Sequence, residues 1–101
     1  MTERATPHLR SLVEARREEI RAAVGRHRGR EVQLFGSVAR GDEQPDSDID
    51  LLVEFEPGSS LFDLMHLQDE FEELLGRRVD VVSVGGLKDR DHHIREEAVA
   101  L

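Results

Sequence analysis

The run Asp48-Ile49-Asp50-Leu51-Leu52-Val53 constrains this chain more than any other stretch. Ile49, Leu51, Leu52 and Val53 lack the clean alternation of a strand with one wet face, so burial on both faces is expected. Side chains on a strand alternate, which sends Asp48 and Asp50 to one side, about 7 Å apart along the chain. Ile49, Leu51 and Val53 fall on the other. Two like charges at the start of a buried strand repel each other and desolvate poorly, and Asp disfavours strands. The arrangement costs stability unless something positive binds there. Asp80 repeats the anomaly inside Val79-Asp80-Val81-Val82. If the two strands are neighbours, three carboxylates converge as hard oxygen ligands, the kind that Mg²⁺ takes together with substrate phosphates. A purely structural account would have Asp48 cap a turn and Asp80 sit at a frayed strand end. It serves each residue singly better than all three, because unpaired charges are rarely buried.

The rest of the chain supplies partners for such a strand. Thr6 and Pro7 open a helix whose Leu9, Leu12, Val13, Ile20, Ala23 and Val24 recur near the helical period, with Gly25 and Gly29 bracketing its end. Glu31 to Phe35 reads as a strand. Gly36 and Ser37 break it into a short helical turn through Arg40, and Gly41 to Ser47 is a polar loop. After the strand from Asp48 to Phe55, Ser60 and Asp63 form a capping-box pattern at the head of a helix to Leu75. Val79 to Val84 is a third strand, and a last helix is expected over Asp91 to Ala100. The order α-β-α-β-α-β-α predicts an α/β (α+β) fold, a small mixed sheet packed with helices.

With 101 residues and 38% hydrophobic content, one domain over 1–101 with one modest core is expected, and no second lobe for a large substrate. The net charge of −8 disfavours a direct nucleic-acid partner and suits a metal site or a basic protein. No cysteine is present, which excludes thiolate chemistry. The N-terminal residues carry no apolar signal core and no run spans a membrane, so a cytoplasmic protein is expected. His92-His93 diverge on a helix and make a poor ligand pair. His66 reads as surface or partner-facing, and the acidic run Asp69-Glu70, Glu72-Glu73 as a solvated helix face or, alternatively, the surface that meets a basic partner.

Gly36-Ser37 at a strand-to-helix junction can bind an anion through backbone N–H groups and the Ser37 hydroxyl, with Arg40 nearby for a phosphate or the acidic strand. Gly36-Ser37-Val38-Ala39-Arg40-Gly41 followed by Ser47-Asp48-Ile49-Asp50-Leu51 resembles the signature of the DNA polymerase β-type nucleotidyltransferase superfamily, and specifically its minimal nucleotidyltransferases. The resemblance covers about residues 31 to 84 and implies that superfamily's palm-like fold. It implies an enzyme with two Mg²⁺ ions held by Asp48, Asp50 and Asp80, with Asp80 helping to deprotonate the attacking hydroxyl. Gly36, Ser37 and Arg40 would bind the nucleotide, and pyrophosphate would leave on in-line attack at the α-phosphorus.

Minimal nucleotidyltransferases of this kind resemble the antitoxins of HEPN/MNT toxin–antitoxin pairs. That implies transfer of AMP from ATP to a tyrosine of a HEPN-family ribonuclease toxin. Small size points the same way, since a protein partner can supply both the recognition surface and the hydroxyl. Two alternatives stay open: an antitoxin that acts by binding alone, and a small-molecule transferase of the aminoglycoside type, which would normally carry an additional helical domain.

Overall fold

The computed structural model describes residues 9–44, 46–86 and 92–101. Thr6, Pro7, Pro45 and Asp91, on which parts of the expectations above fall, lie outside them. Four strands form one mixed sheet in the order β3-β2-β1-β4: β1 Gly29–Phe35, β2 Ile49–Phe55, β3 Val79–Ser83 and β4 Val99–Ala100. β1 runs antiparallel to β2 and β4, and β2 runs parallel to β3. Among the described residues, the helices that accompany the sheet are α1 Leu9–Ala15, α2 Arg17–Arg26, α3 Gly36–Arg40, α4 Leu61–Leu75 and α5 His92–Glu97.

The core lies where α2 and α4 cover one sheet face. Ile49, Leu51 and Val53 of β2 are fully buried there with Val32 and Leu34 of β1, Val79 and Val81 of β3, Ile20 and Val24 of α2, and Leu67 and Phe71 of α4. On the opposite face Leu52 and Phe35 are also buried, so β2 is enclosed on both sides as its composition demands.

The expected first helix is two. At Arg16 the backbone N–H is shared between the carbonyls of Leu12, at 3.2 Å, and Val13, at 3.1 Å, and the helix restarts at Arg17. The polar run Glu14 to Glu19 contributes no buried side chain across the break, so packing does not hold the ladder straight. α2 ends between Gly25 and Gly29, as expected. The helix runs on to Arg26, and the left-handed turn residue is Arg28, with φ 64°. Gly29 is required for space: a Cβ there would strike the Val24 side chain.

The third strand stops at Ser83, and Val84–Gly86 form a 3-10 turn. The expected last helix also ends early. Glu97 closes α5, and Val99–Ala100 pair with Leu34 and Gln33 along the free edge of β1, with the Leu101 N–H donating to the Val32 carbonyl at 3.2 Å. An unpaired strand edge is a strong acceptor for any chain that reaches it, and β-branched Val99 prefers that conformation to a helix terminus.

α4 forms as its sequence dictates. The Ser60 and Asp63 side chains complete a reciprocal capping box, and Gly76 ends the helix at φ 66°. Half of its acidic run has work within the fold, contrary to a purely solvated face. Glu70 pairs with Arg26 and with His27 Nε2, the latter at 2.8 Å. Glu72 Oε2 accepts from the Val79 N–H at 3.0 Å, and Gln68 Oε1 from the Val81 N–H at 3.2 Å. These two side chains, one turn apart, satisfy N–H groups on the outer edge of β3, which no strand among the described residues covers. The loop after α3 plays a similar part. Glu43 Oε2 accepts the Leu9 N–H at 3.2 Å, satisfying a donor in the first turn of α1.

Candidate active site

The sheet register sets the site. Phe35, the last residue of β1, pairs with Asp50 of β2, and Asp50 pairs with Asp80 of β3. Paired residues share a face, and adjacent strands stand about 4.8 Å apart. The end of β1, Asp50 and Asp80 therefore form one row across three strands. Asp48, expected to be the first residue of this strand, lies just before it, since β2 starts one residue later at Ile49, and it is half exposed beside Arg78. Asp80 is exposed and Asp50 half-buried.

The electrostatics of the row follow from that placement. The Asp50 carboxyl is pushed up to about 6, first by burial, then by the charges of Asp80 and Asp48, with Arg40 opposing the shift. Phe35 beside it and Leu52 further along the same face are almost fully buried, which accounts for the loss of water. The charges of Asp80 and Asp48 thus reach Asp50, which carries the strain.

Gly36 begins α3 directly after Phe35, at φ 77°. A Cβ at Gly36 would collide with the Asp50 carboxylate. The glycine is therefore required sterically: it lets the turn pass against the acidic strand. Ser37 follows in the first turn of α3, whose leading N–H groups have no helical acceptors. The Ser37 carbonyl receives the N–H groups of Gly41, at 2.9 Å, and Asp42, at 3.1 Å, which closes the turn. Val38 and Ala39 anchor it in the core. Arg40 leaves the same turn but is held by Asp42, Nε to Oδ2 at 3.2 Å, and by Glu97 of α5, at 3.0 Å. Both carboxylates raise its already high pKa. Its charge reaches Asp50, while its hydrogen bonds go to α5 and the loop.

Two residues not anticipated from the sequence organise the entry to the row. The Arg77 guanidinium donates to the Ser47 carbonyl at 3.1 Å, and Arg78 Nε lies 3.8 Å from Asp48 Oδ1. The Ile49 N–H also donates to the Arg78 carbonyl at 3.0 Å. The signal was present in the spacing: Arg78 precedes Asp80 by the same two residues as Asp48 precedes Asp50, so a parallel register sets them side by side.

Among the described residues no three His, Asp or Glu side chains already form a cage for an ion. Mg²⁺ does not need one, since it is usually bound by one or two carboxylates completed by phosphates and water. Hard oxygen donors, a half-buried carboxyl raised by its like-charged neighbours and an open side fit such an ion in company with a triphosphate. A shallow cleft of about 720 Å³ opens elsewhere, between α2 and the β1 edge, and is lined by Arg21, Arg30 and Glu31 rather than by the carboxylates. No described helix is long and apolar enough to cross a membrane.

Residues 17–100 match the model of the nucleotidyltransferase domain family. The chain is 41% identical over 80 residues to the protein adenylyltransferase MntA of Thermococcus cleftensis, which covers 79% of this chain and 78% of that one. It is 46% identical over 78 residues to a Methanocaldococcus jannaschii protein provisionally named a protein adenylyltransferase, covering 73% and 81% of the two chains. A solved structure provisionally described as a minimal nucleotidyltransferase superposes with a TM-score of 0.82 at 45% identity, over 91% of this chain and 95% of the other. A toxin–antitoxin crystal structure with AMP-PNP shares the fold at a TM-score of 0.71 and 19% identity, over 82% and 69% of the two chains. The matched span contains the Gly36-Ser37 turn and all three carboxylates, and this chain belongs to the nucleotidyltransferase domain family as an enzyme of the minimal type.

Proposed function

We propose that this protein is an antitoxin that transfers AMP from ATP to a hydroxyl, on a tyrosine, of a HEPN-type ribonuclease toxin in the cytoplasm. The observation that carries the chemistry is the row in which Gly36 abuts Asp50 and Asp50 pairs with Asp80. It brings the Gly36–Ser37 turn directly against the carboxylates. Asp48 and Asp50, with Asp80, would hold the Mg²⁺ that accompanies the triphosphate. The bound metal supplies Lewis acidity and neutralises developing charge. Gly36 and Ser37 seat the phosphates. Asp80, the most exposed of the row, accepts the proton of the incoming hydroxyl, which attacks the α-phosphorus as the bond to pyrophosphate breaks. Arg40 exchanges an ion pair with Asp42 or Glu97 for a phosphate when ATP is present.

Support for a protein acceptor comes from the names of the relatives and from charge. A chain at −8 attracts a basic surface such as a ribonuclease presents to RNA. It contains no tyrosine, so a tyrosine acceptor must be on another molecule. Adenylylation there adds bulk and negative charge where RNA would lie. The test is incubation with Mg-ATP and the purified protein encoded beside this gene, followed by mass spectrometry. An AMP adduct on a tyrosine, lost with Asp48→Asn or Asp50→Asn, is the expected outcome. An unmodified neighbour together with turnover on a free small-molecule alcohol would overturn it.

A further inference from the structure

Among the described residues, the exposed large hydrophobic side chains are Leu61, Phe62 and Met65, at 69%, 68% and 50% exposure. All three lie within five consecutive residues at the start of α4. Folding does not require them: Leu67, Phe71 and Leu75 bury the inner face of this helix, and the capping box secures its start. Three apolar side chains concentrated in one place, rather than scattered, mark a contact surface.

The outer stripe of α4 continues from this patch at helical spacing through His66 to Asp69 and Glu73, all exposed. Glu70 and Glu72 are engaged within the fold, and Asp63 completes the capping box. Asp69 and Glu73 carry no ion pair or hydrogen bond with any described residue. The stripe is thus an apolar head with an unneutralised acidic tail, and α4 contains no Lys or Arg.

We infer that this outer face of α4 docks a protein partner that offers an apolar pocket beside a cluster of arginines or lysines. The partner meant is the acceptor protein, so the inference rests on the reading given under Proposed function. Charge decides against a second copy, because two chains at −8 each repel and would leave Asp69 and Glu73 without counter-charge. β2 leaves the carboxylate row at Asp50 and ends at Phe55, and α4 returns from there over about 22 Å to the start of β3. The apolar head therefore lies at the far end of the sheet from the carboxylates, and the acidic tail lies at their end but on the opposite face, because α4 covers the face of Ile49 and Val79. A partner gripped at the head extends along α4, and its acceptor segment passes around the sheet edge at the start of β3 to reach Asp80 on the other face. Docking and chemistry are carried by separate surfaces.

That separation makes the test. Leu61→Ser/Phe62→Ser and Asp69→Lys/Glu73→Lys are each compared with the parent for affinity to the purified protein encoded by the adjacent gene, at several salt concentrations. Mg-ATP binding and thermal melting are measured in parallel. The apolar double variant is expected to weaken the complex at least tenfold. The charge-reversed one is expected to weaken it and flatten its salt dependence. Both should bind Mg-ATP as the parent does. Parental affinity in the apolar double variant, no complex with the parent itself, or parent self-association abolished by Leu61→Ser/Phe62→Ser would each overturn the docking surface. A neighbour that binds through this face, yet remains unmodified while a small alcohol is turned over, would leave the surface standing and remove the proposed acceptor.

Discussion

Replacing Asp50 by Asn should stabilise the metal-free protein at neutral pH and leave it unchanged in acid. The carboxyl titrates near 6 in the fold against an ordinary 3.8, driven first by burial and then by Asp80 and Asp48. A raised carboxylate favours its protonated form in the folded state. Its stabilising contribution is complete below pH 3.8 and is lost as the pH rises through about 6. Two pH units correspond to about 3 kcal/mol at full strength. Asp50 is only half-buried, so solvent screening reduces this to about 1 kcal/mol. Asn has nearly the same shape, and its amide cannot ionise. The variant should therefore melt about 4–8 °C above the parent at pH 7.5. At pH 4, where the parent carboxyl is largely protonated, the two should coincide. The assay is thermal denaturation followed by circular dichroism in EDTA at both pH values. An Asn variant less stable at pH 7.5, or a gap equal at both pH values, would refute the claim that like charges strain this row. With Mg-ATP added the order should reverse, because only the parent gains from ligand binding.

Three further outcomes follow from the geometry. Asp80→Asn should abolish nucleotidyl transfer while its melting temperature without metal stays level or rises slightly; a marked fall in melting temperature would make Asp80 a structural residue. Gly36→Ala should cost about 2–4 kcal/mol in urea unfolding, from left-handed backbone and collision with Asp50. Gly41→Ala, also left-handed but facing open space, should cost about 1 kcal/mol, and equal losses at the two sites would deny the Gly36–Asp50 contact. Glu72→Ala should remove about 1–2 kcal/mol and speed amide exchange at Val79, whose N–H it accepts; unchanged exchange would mean that edge is satisfied otherwise.

Local pattern alone determined much of this protein. The apolar run around Ile49, the lone Asp80 in its own apolar strand, the Ser60–Asp63 cap and the Gly36 break are each legible within a few residues, because periodicity and capping act over one or two turns of chain. The juxtaposition of Asp50 with Asp80 could be stated only as a condition, that the two strands be neighbours, and the parallel β2–β3 register met it. Other features had no local signature. Val99 and Ala100 became a strand because the edge of β1 was bare, and Glu70 and Glu72 left the solvated face because Arg26, His27 and the Val79 N–H stood within reach. Arg40 was drawn to Asp42 and Glu97, and Gly36 met a steric demand from Asp50 that its local sequence does not show. The sequence alone determined which residues prefer burial, turns or charge. Only the tertiary structure decided which unsatisfied donor or strand edge each polar side chain meets, since those partners lie up to 57 residues away along the chain and their value depends on the water that packing removes.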